Sequence, residues 1–195
     1  MERLQVRVYY DFASTLCYVG YRVMARMQVE LDALALELTW TPLDLVGITG
    51  WPRGAAVEGP RRDNALRVAQ ELGVAVTMPT RWLDSRRAGA VALALAGTPR
   101  EVAWRERVFS GVFEEGRALD EPEALDDFAR DLGLDLTSVD VAAASEALSE
   151  RTREARAAEV TGVPTFMLGR WPFAGIQEEH TMRSLLTRWA EKQRS

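Results

Sequence analysis

The chain begins with the pattern strand, helix, strand, and this order limits the folds that it can adopt. The stretch LQVRVYYDF alternates in polarity, which is typical of a strand. From Leu16 to Leu31 apolar residues recur about every three to four positions, the period of an amphipathic helix. The stretch LALELTWTPLDL alternates again and ends near Pro42. Two strands joined through a helix are expected to lie parallel, with a right-handed crossover.

The middle of the chain predicts helices. After a loop rich in glycine and proline, VGITGWPRGAAVEGP, helical patterns occupy almost all of residues 60 to 159. Gly73 is placed to stop the first helix, and Pro99 and Pro122 stand near the starts of two others. The predicted helices are RRDNALRVAQELG, MPTRWLDSRRAGAVALALAG, PREVAWRERVFSGVFEEG, EPEALDDFARDLGL and SVDVAAASEALSERTREARAAEV.

The end of the chain returns to strands. Phe166–Leu168 and Trp171–Phe173 predict two short strands around a turn at Gly169 and Arg170. The stretch EEHTMRSLLTRWAEKQR predicts a last helix, acidic where it begins and basic where it ends, as the helix dipole favours.

The element order is β-α-β, a helical block, then β-β-α. This is an α/β, thioredoxin-like fold with a large all-helical insertion between its two halves. We assign residues 1–59 and 160–195 to the thioredoxin-like domain and residues 60–159 to the helical insertion domain. A chain of 195 residues suits one domain with a large insertion.

Composition argues against several classes of protein. The chain has 24 basic and 29 acidic residues, a net charge of −5, and no basic footprint for nucleic acid. No apolar run approaches the ~20 residues that span a bilayer. The first residues lack the pattern of a signal peptide, so we expect a cytoplasmic protein. The single histidine, His180, has no cysteine or histidine cluster around it, and no metal site is expected.

Ser14 and Cys17 stand three residues apart where the first strand meets the first helix. A redox protein would carry a C-x-x-C pair there, whereas Cys17 is the only cysteine, which excludes an intramolecular disulfide. Ser14 is a natural N-cap, and capping alone would explain it. Cys17 lies in the first helical turn, where the dipole could produce a reactive thiolate. The alternative, which we favour, is a buried and inert cysteine.

The stretch DFASTLCYVG, followed much later by GVPTF, resembles the DsbA superfamily. This superfamily includes FrnE-like oxidoreductases, 2-hydroxychromene-2-carboxylate isomerases and kappa-class glutathione transferases. The resemblance extends over essentially the whole chain, including FARDLGLDL and PFAGIQ. It implies a cis peptide bond between Val163 and Pro164, and in such a fold this bond and Ser14 to Cys17 meet at one edge of the sheet.

The resemblance also implies a role for Ser14. In the isomerases and kappa transferases, a serine at this position donates a hydrogen bond to the sulfur of glutathione. Three residues of this chain depart from the pattern of those enzymes. Thr15 stands where proline is usual, and Cys17 stands where a non-thiol residue is usual. Gln177 stands where many isomerases have an aspartate, which is more like the FrnE-like branch.

We therefore predict a thiol-dependent isomerase or transferase with glutathione or another low-molecular-weight thiol as cofactor and an electrophilic small molecule as substrate. Ser14 and Cys17 are the predicted catalytic residues. The predicted binding residues are Phe12, Thr15, Leu16, Val163 and Pro164. The apolar walls of the site would come from Tyr10, Phe12, Leu16 and Tyr18.

Two alternatives stay open. The first is an oxidoreductase that acts on protein thiols as a monothiol through Cys17. The second is a degenerate thioredoxin-fold module that binds a peptide or a small molecule without turnover. Homodimerisation is also left open.

Overall fold

The computed structural model describes residues 2–195, and its centre is a four-stranded sheet. The strands are β1 (Leu4–Tyr10), β2 (Leu36–Pro42), β3 (Thr165–Leu168) and β4 (Trp171–Ala174). They lie side by side in the order β2-β1-β3-β4. β1 and β2 run parallel, β3 is antiparallel to β1, and β4 is antiparallel to β3. The predicted β-α-β and β-β-α halves therefore share one sheet.

Helices account for most of the rest of the described chain. They are α1 (Thr15–Arg26), α2 (Gln28–Ala33), α3 (Leu45–Thr49), α4 (Gly59–Glu71), α5 (Arg86–Ala94), α6 (Pro99–Phe113), α7 (Pro122–Asp131), α8 (Val141–Ala157) and α9 (Glu179–Arg194). A 3-10 turn, Leu136–Ser138, precedes α8. Helices α4 to α8 all lie between β2 and β3 in the chain, so the predicted α/β fold with its helical segment is confirmed. None of the helices in residues 2–195 is long and apolar enough to cross a membrane.

The turn between β3 and β4 is where predicted. Leu168 pairs with Trp171, which leaves Gly169 and Arg170 as a two-residue connection. Gly169 has a φ of 66°, a backbone conformation that glycine adopts without steric cost.

Three local predictions were wrong. The first predicted helix is broken at Met27 into α1 and α2. The apolar period does not reveal the break, because buried residues such as Met24 and Leu31 continue it on both sides. The predicted loop before α4 contains α3, which at five residues is too short to show a period. The helix predicted from Met78 begins only at Arg86, and residues 78–85 are not helical.

The segment that precedes α5 is extended because its backbone bonds to the loop after α3. The amide of Trp82 donates to the carbonyl of Ala55 at 2.8 Å, and the amide of Val57 donates to the carbonyl of Thr80 at 2.9 Å. A helix would have used these groups internally. The bonds hold the two loops together as one wall of the site described below.

The core is continuous between the sheet and the inserted helices. On one face of the sheet, Tyr10 and Phe12 pack against Phe109 of α6, with ring centroids 5.7 and 5.1 Å apart. On the other face, Tyr9 packs with Leu43, Leu45, Ala155 and Val160 in a second cluster. The helical segment thus supplies partners for residues on both faces of β1.

Gly111 of α6 packs directly against the ring of Phe128 of α7. A Cβ atom added to Gly111 would overlap ring atoms of Phe128. We expect Gly111→Ala to lower the free energy of unfolding by about 1–3 kcal/mol, because forced overpacking outweighs the higher helix propensity of alanine. Urea unfolding followed by circular dichroism measures the change.

The matched control for this prediction is the same substitution in a Phe128→Leu background. Without the aromatic ring, Gly111→Ala should cost much less, as a double-mutant cycle would show. A Gly111→Ala protein that is more stable than the parent would contradict the packing described here.

Candidate active site

A cavity of about 250 Å³ opens beside Ser14. The turn that begins α1 forms one wall, and residues of α3 and the loop after it form the next. The first half of α4 and the segment before α5 complete the opposite side, and residues 161–163 border the cavity near Ser14. The site is therefore assembled from both halves of the thioredoxin-like fold and from the helical segment.

Ser14 is the N-cap of α1, as its residue type predicts. Its Oγ atom accepts a hydrogen bond from the amide of Cys17 at 3.3 Å, and its backbone is extended, as N-cap residues require. Ser14 lines the cavity with only 6% of its surface exposed. Because the bond to Cys17 uses Oγ as an acceptor, the hydroxyl can still donate its proton to a group in the cavity.

Cys17 is fully buried in the main core and does not line the cavity. Burial raises the pKa of its thiol to about 12, and the hydroxyl of Ser14 offsets this rise only in part. Almost no thiolate is present at neutral pH, and the sulfur atom is shielded from solvent. Cys17 therefore has the environment of an inert apolar residue rather than that of a reactive thiol.

Three further predicted binding residues do line the cavity. Thr15 donates from its hydroxyl to the sulfur atom of Met78 at 3.2 Å, and Leu16 and Val163 are half-buried. The peptide bond between Val163 and Pro164 is cis. Val163 thus lies next to the Ser14 turn although the two are far apart in the chain.

Two predicted binding residues do not line the cavity. Pro164 is buried and faces α1, where its Cγ would lie 3.4 Å from a Cβ atom placed on Gly20. Phe12 is 1% exposed and packs against Tyr10 at 5.1 Å between ring centroids.

The expected apolar walls are corrected in the same way. Tyr10, Phe12 and Tyr18 all contact Phe109 of α6 in the core, so only Leu16 of the expected wall residues remains at the cavity. Local sequence could not reveal this, because their partner Phe109 lies in the helical segment.

The aromatic wall of the cavity comes instead from Trp51 and Trp82. Their ring centroids are 4.7 Å apart, and the guanidinium group of Arg61 lies 4.2 Å from the ring of Trp51. Sequence reasoning missed all three residues. Trp51 lies in a predicted loop, Arg61 begins a predicted helix and Trp82 lies inside another, so none of them carried a signal of a shared site. Only the backbone bonds between the two loops bring the tryptophans together.

The electrostatics of the cavity favour anions. Arg61 is the only charged residue among those described that line the cavity, and no carboxylate lines it. The N-terminus of α1, a helix of 12 residues, also faces it, and helix N-termini favour negative charge. Within residues 2–195, no group of three or more histidine, cysteine, aspartate and glutamate residues is placed to hold a metal ion.

A buried carboxylate lies beneath the cavity. Asp11 is 2% exposed, and its two carboxylate oxygens accept hydrogen bonds from the amides of Ala13 and Leu45, each at 2.7 Å. The pKa of Asp11 is raised to about 6, because desolvation outweighs the lowering by these two hydrogen bonds and by the nearby hydroxyl of Ser85.

Comparison with protein families identifies the fold. The model of the DSBA-like thioredoxin domain matches residues 5–187. The protein belongs to this family. The resemblance seen in the sequence is thereby confirmed for the DsbA-like family as a whole.

Individual similar proteins cover 85% to 98% of the chain. YwbO, an uncharacterized protein of Bacillus subtilis, is 24% identical over 85% of this chain and 87% of its own length. A 2-hydroxychromene-2-carboxylate isomerase structure has a TM-score of 0.76 at 24% identity and covers 97% of this chain and 98% of its own. The cytosolic disulfide reductase DsbM of Pseudomonas aeruginosa, in a structure with glutathione, has a TM-score of 0.60 at 20% identity, with 98% of each chain covered. At these identities the two structures show a shared fold.

The burial of Cys17 predicts slow chemistry at its thiol. We expect an aromatic disulfide reagent to react with the folded protein at least about 100-fold more slowly than with the urea-unfolded protein, because both thiolate and access are lost on folding. Because Cys17 is the only cysteine, the Cys17→Ala variant gives the background signal of the assay, in which no thiol reacts. Equal rates in the folded and unfolded states would show that the thiol is accessible.

Proposed function

We propose that this DsbA-like protein is an isomerase or transferase that uses glutathione or another low-molecular-weight thiol. In this proposal Ser14 donates a hydrogen bond to the sulfur of the bound thiol and holds it as a thiolate. The observation that carries the proposal is the pairing of a cavity-lining serine hydroxyl with a buried cysteine. The working sulfur then comes from outside the chain.

The chemistry of Ser14 fits a donor rather than a redox group. A serine hydroxyl is far too weak an acid for a helix dipole, worth about 0.3–1 kcal/mol, to ionise it. As a donor to an anion it makes a charge-assisted bond, which is stronger than a bond between neutral groups. The α1 N-terminus favours the same negative charge.

The residues around Ser14 fit a thiol of the glutathione type. A glutathione molecule is anionic, and Arg61 is the only charged residue that the described part of the chain contributes to the cavity lining. The backbone of Val163 borders the cavity and could bond to an extended peptide as a short added strand. The structure of DsbM with glutathione supports this ligand for a protein of the same fold.

The chain's own residues then have distinct roles in the reaction. A bound thiol would supply a nucleophilic sulfur for addition to an unsaturated or otherwise electrophilic carbon of the substrate. Ser14 orients that sulfur and stabilises its charge, while Trp51 and Trp82 offer a flat apolar surface to a planar substrate. Arg61 attracts a carboxylate on the substrate or on the thiol. The likeness in fold to an isomerase of a carboxylate substrate supports this class of reaction.

The two other candidate functions receive less support. A monothiol oxidoreductase would need Cys17 to reach a protein thiol, and its sulfur is fully buried with a raised pKa. A binding module without turnover would use the same cavity, and only an assay for turnover separates it from the enzyme.

Ser14→Ala tests the donor role. We expect it to weaken glutathione binding about tenfold or more in calorimetry, because a hydrogen bond to a charged group is lost. We also expect the lost N-cap to cost about 1 kcal/mol of stability. Ser14→Thr keeps the hydroxyl and should retain most of the affinity.

The matched control for Ser14→Ala is Ser184→Ala on α9, where the hydroxyl bonds only to the carbonyl of His180. It should leave glutathione binding unchanged. The proposal fails if neither glutathione nor other low-molecular-weight thiols bind the parent, or if Ser14→Ala binds glutathione as tightly as the parent does.

Ser14→Cys tests the absence of dithiol chemistry. The substitution places a second thiol three residues before Cys17, at the cavity-lining position of a C-x-x-C pair, and should create insulin-reductase activity that the parent lacks. A parent that reduces insulin as fast as the variant would exclude the non-dithiol function and favour the monothiol alternative.

A further inference from the structure

The two walls of the cavity nearest to Ser14 meet at one carboxylate. Asp11 follows the last residue of β1, and its Oδ1 atom accepts from the amide of Ala13, two residues later. Its Oδ2 atom accepts from the amide of Leu45, 34 residues away, which is the first residue of α3. Ala13 and Leu45 both line the cavity. A single side chain therefore connects the Ser14 turn to α3.

The main chain of Asp11 strengthens the same connection. Its carbonyl accepts from the amide of Ser14 at 3.1 Å, so Asp11 is bonded to the N-cap residue of α1 and to the residue before it. Leu45 begins α3, Thr49 ends it, and Trp51 follows two residues later. Thr49 and Trp51 line the cavity as well. A shift of Leu45 relative to Ala13 would move the aromatic wall relative to Ser14.

We propose that Asp11 is a positioning residue, whose ionised carboxylate holds the Ser14 turn and α3 at the spacing that ligand binding requires. Both oxygens must accept for the two segments to be held. Protonation turns one of the two oxygens into a hydroxyl, which is a much weaker acceptor than a carboxylate oxygen, so the bond to one of the two amides is weakened. The part of this proposal that concerns ligand binding rests on the proposed function.

The surroundings of Asp11 bring the pKa of its carboxyl group close to neutral pH. The pKa of Asp11 is raised to about 6, chiefly by desolvation and to a smaller extent by the negative charge of Asp44 in the loop before α3. The hydroxyl of Ser85, before α5, and the amides of Ala13 and Leu45 lower it. Cys17 of α1 is also close but remains protonated, with its own pKa raised to about 12. The connection should therefore weaken as the pH falls through about 6.

NMR of the full chain, without ligand, tests the positioning role directly. We expect the amide protons of Ala13 and Leu45 to shift together between pH 7.5 and pH 5, with a midpoint near 6, because both bond to the titrating carboxylate. The matched control is the amide of Leu43 in the same loop, which donates to the backbone carbonyl of Tyr10 at 2.9 Å and should not follow this titration.

Asp11→Asn provides the second measurement. The asparagine cannot accept with both side-chain atoms, so the joint shift of the Ala13 and Leu45 amides should vanish. Asp32→Asn, an exposed change on α2, should keep it. The positioning role is overturned if the two amides of the parent show no common titration, or if the titration persists in Asp11→Asn. Should that variant not fold, the titration of the parent decides alone.

Ligand binding is tested with S-methylglutathione, whose sulfur has no proton to lose. Its affinity for the parent should be about tenfold lower at pH 5 than at pH 7.5, and low at both pH values in Asp11→Asn. A flat pH dependence in the parent, despite titrating amides, would overturn the link to binding. If neither glutathione nor S-methylglutathione binds at any pH, the proposed function fails, while the amide titration still decides the role of Asp11.

Discussion

The pairing of β1 with its two neighbours is the interaction on which the rest of the structure depends. β1 bonds to β2 on one side and to β3 on the other, so it joins the two halves of the fold across the whole helical segment. Its faces carry Tyr10 toward one cluster and Tyr9 toward the other. Because the site begins where β1 ends, its position is set by a strand that is paired on both sides.

The end of β1 holds two polar groups with different tasks. The buried carboxylate of Asp11 accepts hydrogen bonds from backbone amides. The hydroxyl of Ser14 accepts one from an amide of α1 and lines the cavity. A buried carboxylate is costly unless its oxygens are bonded. The bonds that offset this cost for Asp11 come from Ala13 and Leu45, which also line the cavity. The burial of Asp11 and the shape of the cavity therefore depend on the same two bonds.

The position of Cys17 separates this chain from a dithiol protein in physical terms. Its thiol lies in the core with a raised pKa, and Ser14 occupies the position that faces the cavity. A hydroxyl that lines the cavity can stabilise a thiolate but cannot exchange with a disulfide. The cavity around it, with one arginine and two tryptophans, fits the anionic and partly planar ligand that we propose.

Sequence alone determined the strands, the order of the two halves, the N-cap at Ser14 and the family resemblance, because periodicity, capping and motif spacing are local properties. It also located Thr15, Leu16 and Val163, which belong to the two motifs themselves. Only the tertiary structure decided that Phe12 and Pro164 face the core and that Trp51, Arg61 and Trp82 form the wall of the cavity. These assignments depend on contacts with Phe109 and on backbone bonds between distant loops, and neither leaves a signal in the residues nearby.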